Sequence, residues 1–300
     1  MSEPTTGPSG GTDDAPQGYS VRLPGRQLPG PALLFCPADR PDRYAKALAA
    51  ADGVILDLED GVGAAAKAAA REALLARPQD PARVIVRVNA VGTPEFDTDI
   101  AVLRQTGYTT IMLPKAESRE QLDAVAERAG WRVVALVESA LGILRAAEIA
   151  AAPNVIAMLW GAEDLMASVR GRTSRHPDGT YRGVALHARA TTLLAASAHG
   201  KLAIDAIYAN IPDLDGLRQE AEDAAASGFA LKALIHPSHV AVVRQAFRPD
   251  DKQLAWARRV LAAARHGGHD GGAIKLDGQM IDAPVIRQAE AILSAAGEDH

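Results

Sequence analysis

The sequence has few cysteine and few aromatic residues. Cys36 is its one cysteine, and a single thiol forms neither an intrachain disulfide nor a cysteine-based zinc site. Aromatic residues make up 4% of the 300-residue chain, whereas hydrophobic residues as a whole make up 48%. This hydrophobic fraction excludes global disorder, and the core must consist mainly of aliphatic side chains.

The sequence also lacks long apolar runs and a strong excess of charge. No run approaches the roughly 20 apolar residues that span a bilayer, and the N-terminus has no apolar signal-peptide core. The formal net charge is −5, from 32 basic and 37 acidic residues, which argues against a nucleic-acid binder that relies on a basic face. We therefore expect a cytoplasmic protein that binds neither a membrane nor nucleic acid.

The composition changes near residue 30. Residues 1–30 are rich in Gly, Pro, Ser, Thr and Asp and have no apolar period, which predicts a disordered tail. Beyond them, short apolar runs recur, and each is followed by an alanine-rich stretch that suits an amphipathic helix. The eight runs are residues 32–37, 54–58, 84–88, 110–113, 133–137, 155–160, 203–208 and 231–235.

These runs are nearly continuous in Val, Ile and Leu, as is typical of parallel strands covered on both faces. Eight strand–helix units predict a (β/α)8 TIM barrel over residues 31–248. A doubly wound open sheet is the alternative, but Gly61-Val62-Gly63 continues with Ala64, so the third glycine of the dinucleotide fingerprint is missing. Residues 249–300 are predicted to form a short C-terminal α-helical extension, too short for a core of its own.

Polar residues follow the predicted strands at their C-terminal ends, where the active sites of barrels form. They include Asp57 and Glu59 after strand two, Arg87 and Asn89 at strand three, Lys115 after strand four, Glu138 after strand five, and Gly161 to Asp164 after strand six. Residues 170–183 form a basic, turn-rich insertion after the sixth strand, where a lid lies in a barrel. This pattern predicts an active site at that end.

Glu138 and Asp164 follow adjacent strands, so their carboxylates are expected to converge. Two hard oxygen ligands with room for water and substrate oxygens describe a Mg²⁺ site. The alternative is that each residue caps the helix that follows it, because acidic side chains stabilise helix N-termini.

Arg87 lies in an apolar strand, and a buried guanidinium needs an anionic partner. It either grips a substrate carboxylate or forms an internal salt bridge with Asp57 or Glu59. Asp57 and Glu59 share one strand face, so they are candidates for ordering Arg87 or metal-bound water. Lys115 either neutralises a developing enolate oxygen or pairs with a neighbouring carboxylate.

These motifs together resemble the citrate lyase β-subunit-like family within the HpcH/HpaI aldolase superfamily. The resemblance extends from about residue 31 to residue 295, with the motifs in the family's order. The motifs are Leu34-Phe35-Cys36-Pro37-Ala38-Asp39-Arg40-Pro41, Val54-Ile55-Leu56-Asp57-Leu58-Glu59-Asp60, Val86-Arg87-Val88-Asn89, Leu113-Pro114-Lys115, Val137-Glu138-Ser139-Ala140-Leu141-Gly142, Gly161-Ala162-Glu163-Asp164-Leu165 and Ile235-His236-Pro237. The family includes citramalyl-CoA and malyl-CoA lyases, citryl-carrier-protein lyase subunits and related aldolases and thioesterases.

The resemblance implies an oxo-acid lyase that requires Mg²⁺. Such an enzyme cleaves or forms a β-hydroxyacyl-CoA thioester, with a 2-oxo acid and acetyl-CoA as the products of cleavage. The resemblance implies that Glu138 and Asp164 are the metal ligands, that Arg87 is catalytic and grips the substrate carboxylate, and that Arg40 helps to hold the CoA portion. Their positions at the strand ends make Asp57 and Glu59 further candidates for catalysis, and Lys115, Gly161 and Ala162 further candidates for substrate binding.

The C-terminal extension carries one more motif. In CoA lyases of this family, a C-terminal aspartate completes the active site of a neighbouring subunit, and Leu276-Asp277-Gly278-Gln279-Met280-Ile281-Asp282 resembles that element. The resemblance therefore implies that Asp282 acts in trans within a homo-oligomer, a trimer or a hexamer. Three alternatives stay open: a citryl-carrier-protein lyase β subunit, a metal-dependent aldolase on free hydroxy-oxo acids, and a catalytically silent metabolite-binding barrel.

Overall fold

The computed structural model describes residues 20–23, 26–266 and 274–298. Eight parallel strands close into a barrel in the order β10-β3-β4-β5-β6-β7-β8-β9. They are β3 (Ala32–Pro37), β4 (Gly53–Asp57), β5 (Val84–Arg87), β6 (Thr110–Leu113), β7 (Arg132–Val137), β8 (Val155–Trp160), β9 (Leu202–Asp205) and β10 (Leu231–Leu234). The predicted (β/α)8 barrel is thereby confirmed, and the open sheet is excluded.

Helices connect the strands. They are α1 (Tyr44–Ala50), α2 (Lys67–Ala76), α3 (Pro94–Leu103), α4 (Arg119–Arg128), α5 (Ala140–Leu144), α6 (Ala146–Ala150), α7 (Ala162–Ser168), α8 (Gly183–Ala198), α9 (Leu214–Ser227) and α10 (His239–Ala246). Among the described residues, no helix is long and apolar enough to cross a membrane.

Alternate residues of each barrel strand face opposite sides, and both sides are mainly apolar. Ile55 and Ile85 belong to the cluster that fills the barrel. Their neighbours Leu56 and Val86 belong to the larger cluster that includes residues of the surrounding helices. Burial on both faces is the physical reason for the continuous Val, Ile and Leu runs of the sequence. Because both faces of the strands are buried, the polar side chains at the C-terminal strand ends are the ones placed to form an active site.

An antiparallel hairpin precedes the barrel, formed by β1 (Ser20–Leu23) and β2 (Arg26–Pro29). Leu28 is 1% exposed and packs in the same interior cluster as Leu33, at the end where the strands begin. The prediction of a disordered tail over residues 1–30 is therefore wrong for this segment. The apolar barrel end needs a cover, and local composition carries no sign of such a tertiary contact. Residues 1–19 lie outside the described part of the chain.

The C-terminal extension contains α11 (Asp251–His266), the hairpin β11 (Ile274–Leu276) with β12 (Gln279–Ile281), and α12 (Ala283–Ala295). It has a hydrophobic cluster separate from the barrel's, made of Ala257, Val260, Leu261, Ile281, Ala289 and Leu293. The expectation that the extension is too short for its own core is wrong. Two amphipathic helices pack their apolar faces together and against the hairpin, which suffices for a small cluster.

Candidate active site

A cavity of about 430 Å³ opens at the C-terminal ends of the barrel strands. The residues that line it include Asp57, Arg87, Glu138, Gly161, Ala162 and Asp164. These residues are far apart in the sequence and were predicted to belong to one site. The barrel brings them together, because parallel strands deliver their C-terminal ends to a single mouth.

Arg87 forms a two-pronged ion pair inside this cavity. Its Nε and Nη2 donate to the two carboxylate oxygens of Asp57 at 2.7 and 2.6 Å, and its Nη1 lies 2.9 Å from Glu59 Oε2. Asp57 is itself held, since its oxygens accept the backbone N–H groups of Glu59 and Gly61 at 2.9 Å each. The internal salt bridge proposed as one role of Arg87 is therefore present, and it fixes the guanidinium at the cavity wall.

The electrostatics of this cluster keep Arg87 charged. Burial disfavours its guanidinium, but hydrogen bonding to Asp57 and the charges of Asp57 and Glu59 outweigh burial, so the pKa of Arg87 lies above its ordinary value. Burial raises the pKa of Glu59 against the opposing effect of Arg87 and Lys115. The cluster thus offers a permanently protonated donor beside a desolvated carboxylate.

Lys115 connects the Arg87 cluster to the predicted metal ligands. Its Nζ donates to Glu59 Oε1 at 2.6 Å and lies 3.8 Å from Asp164 Oδ1. Its backbone has a φ of 50°, in the left-handed region that residues other than glycine rarely adopt, and its N–H donates to Glu138 Oε1 at 3.1 Å. Of the two roles predicted for Lys115, pairing with neighbouring carboxylates is present.

Glu138 lies directly after β7 and is 4% exposed. Burial, reinforced by the nearby negative charges of Asp164 and Glu59, raises the pKa of Glu138 to about 8. Gly161 leaves room for this side chain, because a Cβ at position 161 would lie 2.8 Å from Glu138 Oε2. A buried carboxylate crowded by like charges is a site that a cation stabilises.

Neither predicted ligand caps a helix through a side-chain hydrogen bond, although Asp164 lies in the first turn of α7, where a negative charge stabilises a helix. Ser139, not Glu138, caps α5, and its side chain accepts the backbone N–H of Gly142. Gly161 occupies the N-cap position of α7 without a side-chain cap. Asp164 lies in the first turn of α7 with its side chain 41% exposed, toward Lys115. Neither carboxylate is used as a side-chain helix cap, and both residues line the cavity.

The carboxylates of Glu138 and Asp164 fit a magnesium ion. Within the described ranges, no group of three or more His, Cys, Asp or Glu residues could hold a metal ion by itself. Mg²⁺ is commonly bound through one or two carboxylates, with water and substrate oxygens completing its octahedron. The hard oxygen donors and the crowded negative charge match that mode of binding.

Arg40 and Asp282 are not among the residues that line the cavity. Arg40 follows β3 and is exposed, where it pairs with Asp42 at 3.1 Å. Asp282 is the N-cap of α12, and its Oδ1 accepts the backbone N–H of Val285 at 3.3 Å. The roles predicted for these two residues stay predictions.

Two residues in or beside the site, Arg175 and Lys67, were not predicted from the sequence. Arg175, in the basic insertion, lines the cavity, and an isolated antiparallel bridge pairs Arg175 with Tyr181. Lys67 Nζ donates to the carbonyl oxygens of Leu58 and Glu59 and to Asn89 Oδ1. The insertion's basic character was a signal for Arg175, but its fold decides which arginine reaches inward. Lys67 is an ordinary helix residue in the sequence and gave no signal.

The fold and the cavity together define a (β/α)8-barrel enzyme whose mouth pairs convergent carboxylates with an anchored arginine. The model of the HpcH/HpaI aldolase/citrate lyase family matches residues 32–237, and the chain belongs to this family. The match confirms the resemblance deduced from the strand-end motifs and the prediction of an enzyme.

Several known proteins are similar to this chain. A citrate lyase subunit beta-like protein of Mycobacterium tuberculosis (strain CDC 1551 / Oshkosh) is 56% identical over 269 residues, which cover 90% of this chain and 96% of that protein. The mitochondrial citramalyl-CoA lyase of Homo sapiens is 30% identical over 307 residues, covering 93% and 89%. The crystal structure of CitE from Mycobacterium tuberculosis with magnesium, acetoacetate and coenzyme A has a TM-score of 0.84 at 57% identity, covering 90% and 99%.

Proposed function

We propose that this protein is a Mg²⁺-dependent carbon–carbon lyase that cleaves or forms a β-hydroxyacyl-CoA thioester, of which citramalyl-CoA and malyl-CoA are examples. The observation that carries the proposal is the convergence of Glu138, Asp164 and Arg87 on one cavity. The magnesium and coenzyme A in the similar Mycobacterium tuberculosis structure and the citramalyl-CoA lyase relative support it.

In this proposal Glu138 and Asp164 hold the metal ion. Bound Mg²⁺ supplies Lewis-acid polarisation of the substrate's hydroxyl or oxo oxygen. Arg87 binds the substrate carboxylate through the N–H donors that do not contact Asp57 or Glu59. Those two carboxylates hold the planar guanidinium in a fixed orientation. Gly161 and Ala162 line the substrate's position at the start of α7.

The reaction breaks one C–C bond of the substrate. It removes a proton from the hydroxyl group of one fragment and adds a proton to the enolate carbon of the other. The hydroxyl group gives its proton to solvent water as its C–O bond becomes a carbonyl, and the C–C bond breaks to leave a 2-oxo acid. The electron pair of that bond passes to the thioester enolate, whose oxygen Lys115 neutralises. Asp282 of a neighbouring subunit then protonates the enolate carbon, which gives acetyl-CoA. Arg40, exposed beside the mouth, contacts the coenzyme A portion.

One other function has a specific observation in its favour. The similarity to a citrate lyase subunit beta-like protein favours a subunit that acts on a carrier-protein thioester. The extension with Asp282 favours free CoA thioesters instead, because the resemblance links that element to stand-alone CoA lyases. We also propose that the protein is a trimer or a hexamer and that it lies in the cytoplasm. A free-acid aldolase and a silent barrel are the outcomes if no thioester reacts.

The test is an assay of purified protein with Mg²⁺ and a panel of malyl-, citramalyl- and related hydroxyacyl-CoA thioesters, followed through the release of 2-oxo acid. Cleavage should require the metal and should be lost in Glu138→Ala, Asp164→Ala and Asp282→Asn. Asp215→Asn, which changes an exposed carboxylate on α9, is the control and should remain active. A folded protein that binds Mg²⁺ and cleaves no thioester would contradict the proposal.

A further inference from the structure

Lys67 places an ammonium group beside the proposed active site but outside its cavity. Its Nζ donates to the carbonyl oxygens of Leu58 and Glu59 at 2.7 and 3.0 Å and to Asn89 Oδ1 at 2.7 Å. An ammonium group has three N–H donors, and these acceptors use all of them. The acceptors follow β4 and β5, whose ends carry Asp57 and Arg87. Lys67 therefore holds the backbone on which part of the site is built.

The amide group of Asn89 is oriented toward Lys67 by other contacts. The backbone N–H and the Nδ2 of Asn89 both donate to Asp99 Oδ2, at 2.8 and 2.7 Å. Its Nδ2 also donates to the Leu58 carbonyl at 3.1 Å. Asp99 is fully buried and accepts from Arg71 Nε at 2.7 Å. Because Nδ2 is occupied by two acceptors, the amide oxygen is the atom that faces Lys67.

The helix that begins at Lys67 does not account for a lysine at this position. Lys67 is the first residue of α2, and the first turn of α2 has no acidic residue. A positive charge near a helix N-terminus opposes the helix macrodipole, which favours acidic side chains there. The contacts of Lys67 with the loop after β4 offset this cost. The loop, rather than the helix, therefore explains the lysine.

Glu59 connects Lys67 to the cations of the site. The backbone carbonyl of Glu59 accepts from Lys67, and its backbone N–H donates to Asp57 Oδ1 at 2.9 Å. Its carboxylate contacts two cations, because Oε1 accepts from Lys115 Nζ at 2.6 Å and Oε2 lies 2.9 Å from Arg87 Nη1. The backbone position of Glu59 thus determines where its carboxylate holds both cations.

We propose that Lys67 is a positioning residue, which fixes Glu59 and thereby the orientation in which Arg87 binds the substrate carboxylate. The inference rests on the lyase function proposed above and adds to it a residue that does not touch the substrate. Each contact of the ammonium group is charge-assisted, and such hydrogen bonds are roughly twice as strong as neutral ones. Removing the ammonium group would release the backbone of Leu58 and Glu59, and a small displacement of a positioning group strongly weakens the function it supports.

The test separates carboxylate binding from Mg²⁺ binding and from stability. Mg²⁺, and then pyruvate at saturating Mg²⁺, are titrated by calorimetry into the full-length protein. Lys67→Met removes the ammonium group, and Lys67→Arg keeps the charge and the N–H donors. Lys201→Met is the matched control, because Lys201 Nζ also donates to two backbone carbonyls, those of Ala152 and Val155, but at the end where the barrel strands begin. The melting temperature of each variant reports whether it is folded.

Lys67→Met should weaken pyruvate binding by about tenfold, within the range for a hydrogen bond to a charged group. Mg²⁺ binding should be nearly unchanged, because Glu138 and Asp164 follow β7 and β8 rather than β4 and β5. Lys67→Arg should recover much of the pyruvate affinity. Lys201→Met should lower the melting temperature and bind both ligands as the unmodified protein does. Unchanged pyruvate affinity in Lys67→Met, or an equal loss of Mg²⁺ and pyruvate binding, would overturn the inference.

A double-mutant cycle tests whether Lys67 acts through Glu59. Glu59→Ala removes the carboxylate that holds Arg87 and Lys115, so adding Lys67→Met should weaken pyruvate binding little further. Such non-additivity is typical of residues in one network. Additive losses would mean that Lys67 acts by another route, and the inference would be wrong. Unmodified protein that binds Mg²⁺ but no pyruvate would instead contradict the lyase function, and the inference would fail with it.

Discussion

Gly161 lies against Glu138 so closely that the two positions constrain each other. A Cβ at residue 161 would lie 2.8 Å from Glu138 Oε2 and 2.9 Å from Glu138 Cβ, closer than non-bonded carbon and oxygen atoms approach. The contact joins the end of β7 to the start of α7. A methyl group there would have to displace the buried carboxylate that we propose as a metal ligand.

Gly161→Ala should therefore weaken Mg²⁺ binding without removing a ligand. Displaced supporting contacts around a metal site typically cost 10- to 100-fold in affinity, and we expect about tenfold, measured by calorimetric titration of Mg²⁺. Gly183→Ala at the start of α8 is the control, because nothing lies within 4 Å of its added Cβ. Equal Mg²⁺ affinity in both variants would show that Glu138 does not depend on this contact.

Removing Asp57 should destabilise the protein through Arg87. Asp57→Ala leaves a buried guanidinium without its bidentate partner, and breaking a buried pair costs about 3–5 kcal/mol. The free energy of unfolding from urea denaturation measures the loss. Asp42→Ala, which breaks the exposed pair with Arg40, is the matched control and should leave the urea midpoint nearly unchanged, because solvent screens exposed pairs. Similar midpoints for the two variants would contradict the role of Asp57.

Mg²⁺ binding should release a proton near neutral pH. Burial and the neighbouring carboxylates raise the pKa of Glu138 from 4.5 to about 8. Between these values the metal-free folded protein keeps a proton that the unfolded chain has lost, so this group makes folding less favourable as pH rises. A metal ligand must be deprotonated, and Mg²⁺ affinity should therefore fall as pH drops below 8.

Calorimetry at pH 7 in two buffers of different ionisation enthalpy measures this proton. The apparent binding enthalpy should differ between the buffers by the number of protons released multiplied by the difference between the buffers' ionisation enthalpies. Glu138→Gln, which has no proton to release, should bind Mg²⁺ weakly and without buffer dependence. Identical enthalpies in both buffers for the unmodified protein would mean that Glu138 is already ionised before the metal binds.

The barrel and its polar mouth were predictable for a simple physical reason. Strands buried on both faces must be continuously apolar, so the first charged residue after each run marks a strand end, as with Glu138 after β7. Asp205 departs from the rule, because it lies within the run 203–208 and is the last, fully buried residue of β9. It tolerates burial because Lys232 and Arg189 neutralise it.

Contacts that depend on tertiary structure could not be predicted from the sequence. Leu28 covers the barrel's interior although its neighbours show no apolar period, and Arg175 reaches the cavity because its insertion folds back through Tyr181. Each depends on partners distant in the sequence, which neither composition nor periodicity reports. The family resemblance supplied the expected role of Asp282, which lies outside any local pattern.

A test of Asp282 must separate its proposed catalytic role from its role as a helix cap. As the N-cap of α12 it also stabilises a helix, so a loss of activity in Asp282→Ala would be ambiguous. Asparagine caps helices as well as aspartate does, and Asp282→Asn therefore removes the acid while keeping the cap. Its melting temperature should match that of the unmodified protein, and its lyase activity should be lost.

Mixing inactive subunits then tests whether Asp282 acts in trans. Asp282→Asn and Glu138→Ala proteins are each expected to be inactive alone. If an active site combines Glu138 of one subunit with Asp282 of its neighbour, subunit exchange at equal concentrations restores about a quarter of the sites in a closed ring with one such contact per subunit. If both residues serve the same chain's site, every mixed site lacks one of them. Activity that stays absent after exchange, verified by native mass spectrometry of the mixed oligomer, would place Asp282 outside the neighbouring site.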